Sequence, residues 1–323
     1  MPSSLPRRRA LASLGALAAA SALLPAGTAR AATPLRIGYQ KSSTLITVLK
    51  ARGSLDAALA PLGVSLSWHE FASGLPLLEA LNLGNVDFSA DVADTVPVFA
   101  QAAGADLTFV ARETASPSAQ AILVKADSPL RTLGDLKGKR VGFAKAAGAH
   151  YLLLAALESA GLRFADITPA YLAPADGRAA FERGAIDAWV VWDPFLAAAQ
   201  RQAGARVLAD GKGLASYQRY YLAATPFAKA HPDVLAVLVD ELRRAGQWVK
   251  QSPKDAAALL APVWGLDADT VEAANARRSY DVQLVKAGSL DEQQRIADAF
   301  LGEKLLPKRV DAQAVALFVP PRG

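Results

Sequence analysis

Short apolar runs alternate with helix-forming stretches along almost the whole chain, and this order constrains the fold more than any other feature of the sequence. In the first block, apolar runs at residues 35–39, 64–68, 86–89 and 107–111 are separated by helical stretches that each end at a glycine. Glycine directly after a helix supplies the left-handed backbone that closes it. Strands that alternate with helices predict a parallel sheet covered by helices.

A second block repeats this plan, with strands predicted at residues 140–143, 167–172 and 188–192. Segments 77–88 and 177–188 share one order, namely helix, glycine, two residues, aspartate and strand. Any α/β chain can echo itself in this way, but two similar lobes are the simpler interpretation. We therefore predict an α/β fold with two lobes, each a mostly parallel sheet flanked by helices.

The same pattern predicts the boundaries of the two lobes. We expect residues 35–122 to form lobe 1 and residues 123–224 to form lobe 2, with the helical remainder, 225–323, packing back on lobe 1. Extended runs at 120–125 and 220–225, each near a proline, are predicted to be the two crossings of a hinge.

The first 31 residues have the features of a secretory signal peptide. Three arginines at residues 7–9 precede an apolar run at 10–24, and the small residues Ala29 and Ala31 mark a cleavage site. The arginines favour twin-arginine export over the general route. The apolar run is too short to span a membrane, and no cysteine is present for a lipid anchor or a disulfide. We expect a soluble periplasmic protein.

Charge and composition exclude several function classes. Four of the 35 basic residues and none of the 30 acidic residues lie in the first 31, which leaves 31 basic and 30 acidic residues in the mature chain. A nearly neutral chain gives no reason to expect a nucleic-acid partner. Three scattered histidines and no cysteine assemble no zinc or haem pattern, so we expect no cofactor and no metal.

The loop after the strand at 140–143 is the clearest candidate for binding. It consists of small residues at 146–149 and leads into a helix from about His150. The first turn of a helix has unpaired N–H groups and a partial positive charge, so an anion can bind there. An ordinary turn between a strand and a helix would have the same sequence, and that alternative stays open.

Other candidates lie at the carboxyl ends of the predicted strands, where open parallel sheets bind their ligands. We add Tyr221 from the second predicted crossing. The candidate ligand-binding residues are Gln40, Ser42, Ser43, Asp91, Val92, Ala93, Asp94, Glu113, Lys145, Ala147, Gly148, Trp192, Asp193 and Tyr221.

Each candidate side chain also has a purely structural interpretation. Ser42 and Ser43 either donate to the ligand or cap a helix, and the two roles are compatible. Lys145 is either a cation at the binding loop or a solvated surface residue, and Trp192 either covers the ligand or belongs to the core. Asp94 is not expected against an anion; it would accept from backbone N–H groups or bind an amine substituent.

Five blocks together closely resemble the periplasmic aliphatic-sulfonate-binding proteins of ABC importers. The resemblance runs in order from about residue 35 to 311 and extends to taurine- and nitrate-binding relatives. It implies a two-lobed fold like that of type II periplasmic binding proteins, with the ligand in the cleft. It also implies capture of an organosulfonate and its delivery to a membrane permease, with no chemistry on the ligand. We expect the protein to be a monomer. The blocks are GYQKSSTL, EALNLGNVDFSADVADTVPVFAQAAGADLTFV, TLGDLKGKRVGFAKAAGAHYLLLAALESAGL, YLAPADGRAAFERGAIDAWVVWDPF and YYLAATPFA.

The sequence departs from this family at two places. Family members often carry serines after the lysine of the binding loop, where this chain has Ala146, Ala147 and Ala149. The segment 90–96 is one residue longer than usual and lacks a double proline. The ligand is therefore open to alternatives: taurine, nitrate, a sulfate ester, a thiamine precursor or a larger molecule.

Two other classes of function are compatible with the same fold. A secreted enzyme is disfavoured because the chain has no G-x-S-x-G, no cysteine nucleophile, no H-E-x-x-H and no Walker loop. His150 is the only candidate base. A periplasmic partner of a sensor would have the same cleft and stays a second alternative.

Overall fold

The computed structural model describes residues 32–321, so the predicted signal peptide lies outside the described residues. Strands and helices alternate through the first two thirds, and helices dominate the last third. The strands are β1 (Thr33–Gln40), β2 (Val64–Phe71), β3 (Phe88–Ala93), β4 (Leu107–Glu113), β5 (Gln120–Val124), β6 (Arg140–Phe143), β7 (Thr168–Tyr171), β8 (Ala188–Trp192), β9 (Arg206–Asp210), β10 (Arg219–Ala224), β11 (Val282–Leu284) and β12 (Ala316–Leu317). The helices are α1 (Thr44–Arg52), α2 (Ser54–Leu59), α3 (Gly74–Asn82), α4 (Thr95–Ala102), α5 (Gly148–Ser159), α6 (Pro174–Glu182), α7 (Phe195–Gln202), α8 (Thr225–Ala230), α9 (Pro232–Gln251), α10 (Pro253–Trp264), α11 (Ala268–Arg277) and α12 (Asp291–Gly302).

Two sheets organise these elements, as the alternation predicted. The first sheet has the strand order β11-β4-β10-β3-β1-β2, with β12 paired to the outside of β4. The second sheet has the order β7-β6-β8-β5-β9. The predicted α/β fold is confirmed, but each sheet is mixed, because β10 runs antiparallel between β3 and β4 and β5 runs antiparallel between β8 and β9.

The two runs predicted to cross between lobes, 120–125 and 220–225, are wrong in position. Both are mostly strand, and each is buried inside a sheet as β5 or β10. The chain passes between the sheets just before each strand, at residues 114–119 and 211–218. These two segments lie side by side, because the N–H of Ser116 donates to the Ser216 carbonyl at 3.0 Å and that of Gly211 to the Pro117 carbonyl at 3.0 Å.

The repeated order of helix, glycine and aspartate has the same structure in both sheets. Gly84 and Gly184 both have a φ of 72° and close α3 and α6 with a left-handed turn. Asp87 then accepts from the backbone N–H of Arg36 at 2.8 Å, and Asp187 accepts from that of Arg140 at 2.7 Å. Each aspartate thereby ties the start of its own strand to the neighbouring parallel strand.

The C-terminal helices contact elements of both sheets. Helices α9 and α10 pack against α1 beside the first sheet, whereas α11 packs against α7 of the second. Helix α12 lies against α4 and α5, and the ring of Phe300 contacts both Phe99 and His150. Among residues 32–321, no helix combines the length and the hydrophobicity that crossing a membrane requires.

Candidate functional site

A small cavity lies between the two sheets at the carboxyl ends of their strands. Inside this cavity, the centre of a water molecule can occupy a volume of only about 10 Å³. The two sheets are therefore close together around it. Both sheets and the second crossing contribute to its wall. The lining residues are Gln40, Ser73, Gly74, Leu75, Ala93, Val96, Lys145, Ala146, Ala147, Gly148, Trp192, Tyr217 and Arg219.

Two helices begin at this cavity from opposite sheets. Helix α5 follows Ala147, an extended residue whose side chain cannot cap it, and helix α3 follows Ser73, whose side chain makes no capping bond. Within residues 32–321, the N–H groups of Gly148 and Ala149 have no acceptor. Helix starts with free N–H groups favour a negatively charged ligand. The loop predicted to bind an anion therefore presents two free N–H groups, and anion binding there stays a prediction.

The loop that precedes α5 is held in an unusual conformation. Ala146 has a φ of +60°, in the left-handed region that alanine rarely adopts. Its carbonyl accepts from the hydroxyl of Thr95, at the start of α4, at 2.7 Å, and its N–H donates to Nδ1 of His150 at 3.3 Å. Tyr217 on the opposite wall also has a positive φ, of +51°. Such strained residues cluster at binding sites, where the surrounding contacts maintain them.

A buried arginine supplies the fixed charge of the cavity. The guanidinium of Arg219 lies 2.5 Å from Oδ2 of Asp91, and it donates to the Tyr217 hydroxyl at 2.8 Å and to the Asp91 carbonyl at 2.9 Å. Burial disfavours its charge, but Asp91, Tyr217 and Glu113 together outweigh this effect and raise the pKa of Arg219. No residue that lines the cavity in the described part of the chain carries a carboxylate. The charged side chains that line the cavity in this part of the chain, Lys145 and Arg219, are thus both positive.

Asp91 belongs to a network that lies behind this wall. Its Oδ2 also accepts from Arg278 at 3.1 Å, and Arg278 pairs in turn with Glu113 at 2.5 Å. We refer to Asp91, Glu113, Arg219 and Arg278 as the arginine–carboxylate network. All four side chains are at most 4% exposed. Two positive and two negative groups are thus buried together.

The candidate residues from the sequence fall into two groups. Gln40, Ala93, Lys145, Ala147, Gly148 and Trp192 line the cavity. The others, Ser42, Ser43, Asp91, Val92, Asp94, Glu113, Asp193 and Tyr221, are buried but stand outside the lining. Whether any of them contacts a ligand stays a prediction.

Structural partners explain why the second group lies outside the lining. The hydroxyl of Ser43 accepts from the backbone N–H of Gln40 at 3.2 Å, and that of Ser42 lies 3.4 Å from Nε1 of Trp192. The Tyr221 hydroxyl donates to Glu113 at 2.7 Å. Val92 packs in the apolar core.

The two remaining aspartates bind groups of the protein itself. Asp94 accepts from the N–H of Gln218 at 2.9 Å, and burial raises its pKa to about 7. Both carboxylate oxygens of Asp193 accept from Nη1 of Arg277, at 2.9 and 3.0 Å. Burial raises the pKa of Asp193 to about 7 against the opposing charge of that arginine. The expectation that Asp94 accepts from the backbone is confirmed.

Seven lining residues were not among the candidate residues, although one of them, Ala146, belongs to the small-residue loop that the sequence indicated. The seven are Ser73, Gly74, Leu75, Val96, Ala146, Tyr217 and Arg219. A local signal existed for the first three, because a polar and a small residue stand directly before a helix, as they do in the loop before α5. Arg219 and Tyr217 had no local signal. Their position depends on the insertion of β10 between β3 and β4, two strands that lie more than a hundred residues before β10 in the sequence.

His150, the only candidate base, does not face the cavity. It is fully buried among Phe143, Phe164, Tyr171 and Phe300. Burial, with a smaller effect from Lys145, lowers its pKa to about 3, so the imidazole is neutral. Its role is to hold the loop before α5 through the bond to Ala146.

Comparisons with known proteins agree with this geometry. Residues 62–256 match the model of the NMT1/THI5-like family. A relative from Escherichia coli (strain K12), whose name places it among the aliphatic sulfonates-binding proteins, is 42% identical over 278 residues, which are 86% of both chains.

Two solved structures share the fold and much of the sequence. The periplasmic aliphatic sulphonate binding protein SsuA from Escherichia coli is 40% identical with a TM-score of 0.82, over 90% of this chain and 94% of that one. The alkanesulfonate-binding protein SsuA from Xanthomonas axonopodis pv. citri, bound to MOPS, is 40% identical with a TM-score of 0.83, over 88% and 98% of the two chains.

Proposed function

This chain belongs to the NMT1/THI5-like family, among its aliphatic-sulfonate-binding members, and from that membership we propose that it captures an aliphatic sulfonate and delivers it to the permease of an ABC importer. The single observation that carries the proposal is the cavity itself. Two helix starts from opposite sheets and the buried Arg219 converge on it, and none of the lining residues between 32 and 321 is acidic.

The chemistry of a sulfonate suits this wall. Its three oxygens carry one negative charge and only accept hydrogen bonds, and the wall offers the backbone N–H group of Gly148, the amide of Gln40 and the guanidinium of Arg219. Because Ala146 and Ala147 replace the hydroxyl residues common in the family, backbone and guanidinium donors take the larger share. The related protein bound to MOPS, a molecule with a sulfonate group, supports the same assignment.

The two sheets would act as two lobes that close on the ligand. We place the hinge at residues 114–119 and 211–218, with the second sheet as one lobe and the first sheet with the C-terminal helices as the other. Contacts across the cavity support a closed form, since Thr95 bonds to Ala146 and Trp192 approaches Ser42. A ligand held between lobes is captured without chemistry, and the neutral, enclosed His150 offers no catalytic base.

The residues before the described range support a location and a route. A signal peptide over residues 1–31 would send the chain to the periplasm, by the twin-arginine route in our proposal, where a monomer would meet its membrane permease.

A thermal-shift panel tests the function. The mature protein, from residue 32, would be mixed with alkanesulfonates, taurine, nitrate, sulfate and carboxylates of matched chain length. At about 100 times its dissociation constant, the true ligand adds about 2.7 kcal/mol to the free energy of unfolding. Alkanesulfonates that shift nothing, beside another class that does, would overturn the ligand assignment.

A further inference from the structure

The buried charges around the cavity are balanced before any ligand binds. In the arginine–carboxylate network, Asp91 and Glu113 compensate the guanidiniums of Arg219 and Arg278. A network of this kind is costly to unbalance, because an uncompensated charge away from water is strongly unfavourable. The network therefore leaves no net buried positive charge for a ligand.

The contacts of Arg219 show how many of its N–H donors remain free for a ligand. A guanidinium has five N–H groups. Asp91 faces Nε, the Tyr217 hydroxyl accepts one N–H of Nη1, and the Asp91 carbonyl accepts one of Nη2. One N–H on each terminal nitrogen is left. The two helix starts add roughly half a positive charge each. Lys145 also lines the cavity, but it is exposed, so solvent screening weakens its attraction for an anion.

These groups together suit one negative charge and not two. We propose that Asp91, with Glu113 behind it, makes the cavity select singly charged oxyanions such as sulfonates over doubly charged ones of the same shape such as phosphonates. The carboxylate of Asp91 stands directly behind the guanidinium that the ligand meets, so a second negative charge on the ligand has no partner and is repelled. This inference rests on the proposed function, because it concerns the same cavity.

The test compares two ligands that differ in charge. Calorimetric titration with butanesulfonate and butylphosphonate would be run at a pH where the phosphonate is a dianion. We expect the wild-type protein to bind the sulfonate roughly a hundredfold more tightly or better, since unpaired like charges at an interface cost several kcal/mol. Asp91→Asn keeps the size and removes the charge, and should narrow this ratio by at least about tenfold.

Two further variants keep the test decisive. Asp87→Asn is the matched control, because Asp87 does not line the cavity and forms its ion pair with Arg36, at 2.6 Å. The ratio of sulfonate to phosphonate affinity in this variant should stay at the wild-type value. If Asp91→Asn fails to fold, Glu113→Gln removes the other negative charge of the network and should narrow the ratio in the same direction. Lowering the pH until the phosphonate is a monoanion should also raise its affinity for the wild-type protein.

Each outcome has a separate meaning. Tight binding of both anions by the wild type, or an unchanged ratio in both variants, overturns the selectivity proposal and leaves sulfonate binding intact. A wild-type protein that binds neither anion overturns the proposed function, and the selectivity proposal falls with it.

Discussion

Gly148 is the position where one added methyl group tests the closed cavity most directly. A Cβ there would lie 2.6 Å from Cε2 and 2.8 Å from Cδ2 of Tyr217, and 3.2 Å from the Cβ of Ala93. The backbone of Gly148 is outside the left-handed region, so Gly148→Ala is allowed locally. The ring of Tyr217 cannot easily yield, because it is buried and its hydroxyl accepts from Arg219.

The magnitude follows from the packing. Overfilling a close-packed site costs about 1–3 kcal/mol, which corresponds to a loss of roughly 5- to 150-fold in affinity. The clash joins the start of α5 to the opposite wall, so it acts only when the lobes are closed. The ligand-free protein, if open, should keep its free energy of unfolding within about 1 kcal/mol, because replacing glycine restricts the unfolded chain.

Calorimetric titration with the best alkanesulfonate measures the affinity, and denaturant unfolding measures the stability. Gly134→Ala is the matched control, because the nearest atom to its Cβ would be the Thr132 hydroxyl oxygen at a comfortable 3.7 Å. In a Tyr217→Ala background the effect of Gly148→Ala should shrink, since the ring is gone. A Gly148→Ala protein that binds as tightly as the wild type would refute contact between α5 and Tyr217 in the bound state.

Four further outcomes are expected. Gly148→Asp should abolish anion binding, because its carboxylate repels the anion and its Cβ clashes with Tyr217 as that of alanine does. Calorimetric titration measures the binding, and circular dichroism checks that the variant is folded. Gly148→Ala cannot serve as the control, because it clashes too. Arg219→Gln should weaken sulfonate binding by at least about tenfold and lower the melting temperature, because Asp91 loses a partner; unchanged affinity would place the anion elsewhere. Small-angle scattering should show a smaller radius of gyration with ligand, and an equal radius at proven saturation would exclude closure in solution. Burial raises the pKa values of Asp94 and Asp193 to about 7. From about pH 4 to 7 each of them therefore holds a proton in the folded protein that the unfolded chain has released, and the free energy of unfolding should fall as pH rises, by up to about 1.4 kcal/mol per pH unit for each group. In denaturant titrations Asp94→Asn should reduce this slope by about half, and an equal slope in the variant would assign it to other groups.

Local pattern predicted most elements because their signals are short-range. The expected strands at 140–143 and 188–192 coincide with β6 and β8. The repeated glycine and aspartate were also recognisable, since a left-handed turn after a helix depends on neighbouring residues alone. The helix after the small-residue loop begins at Gly148, two residues earlier than its apolar pattern indicated.

Strands β5 and β10 were misread because an extended apolar run looks the same in a linker and in a sheet. Their partners lie far away in sequence: β5 pairs with β8 and β9, and β10 inserts between β3 and β4. Hydrogen bonds to distant strands leave no periodic signal in the run itself. Because of this error, the crossings were predicted several residues too late in the chain, and Arg219 was not recognised as a candidate.

The sequence by itself determined the α/β class, the repeated units and the side of the sheets where the cavity lies, because each depends on periodicity, turn residues and strand direction. It also indicated Lys145, Gly148 and Trp192 at the cavity, since these follow directly from strand ends. Only the tertiary structure decided which charges meet there. Arg219 faces the cavity, and Asp91 and Glu113 stand behind its wall, because one antiparallel strand is inserted late in the chain and Arg278 comes from the C-terminal segment. The net charge of a buried site depends on residues from distant segments of the chain, and a local sequence pattern cannot show which of these residues come together.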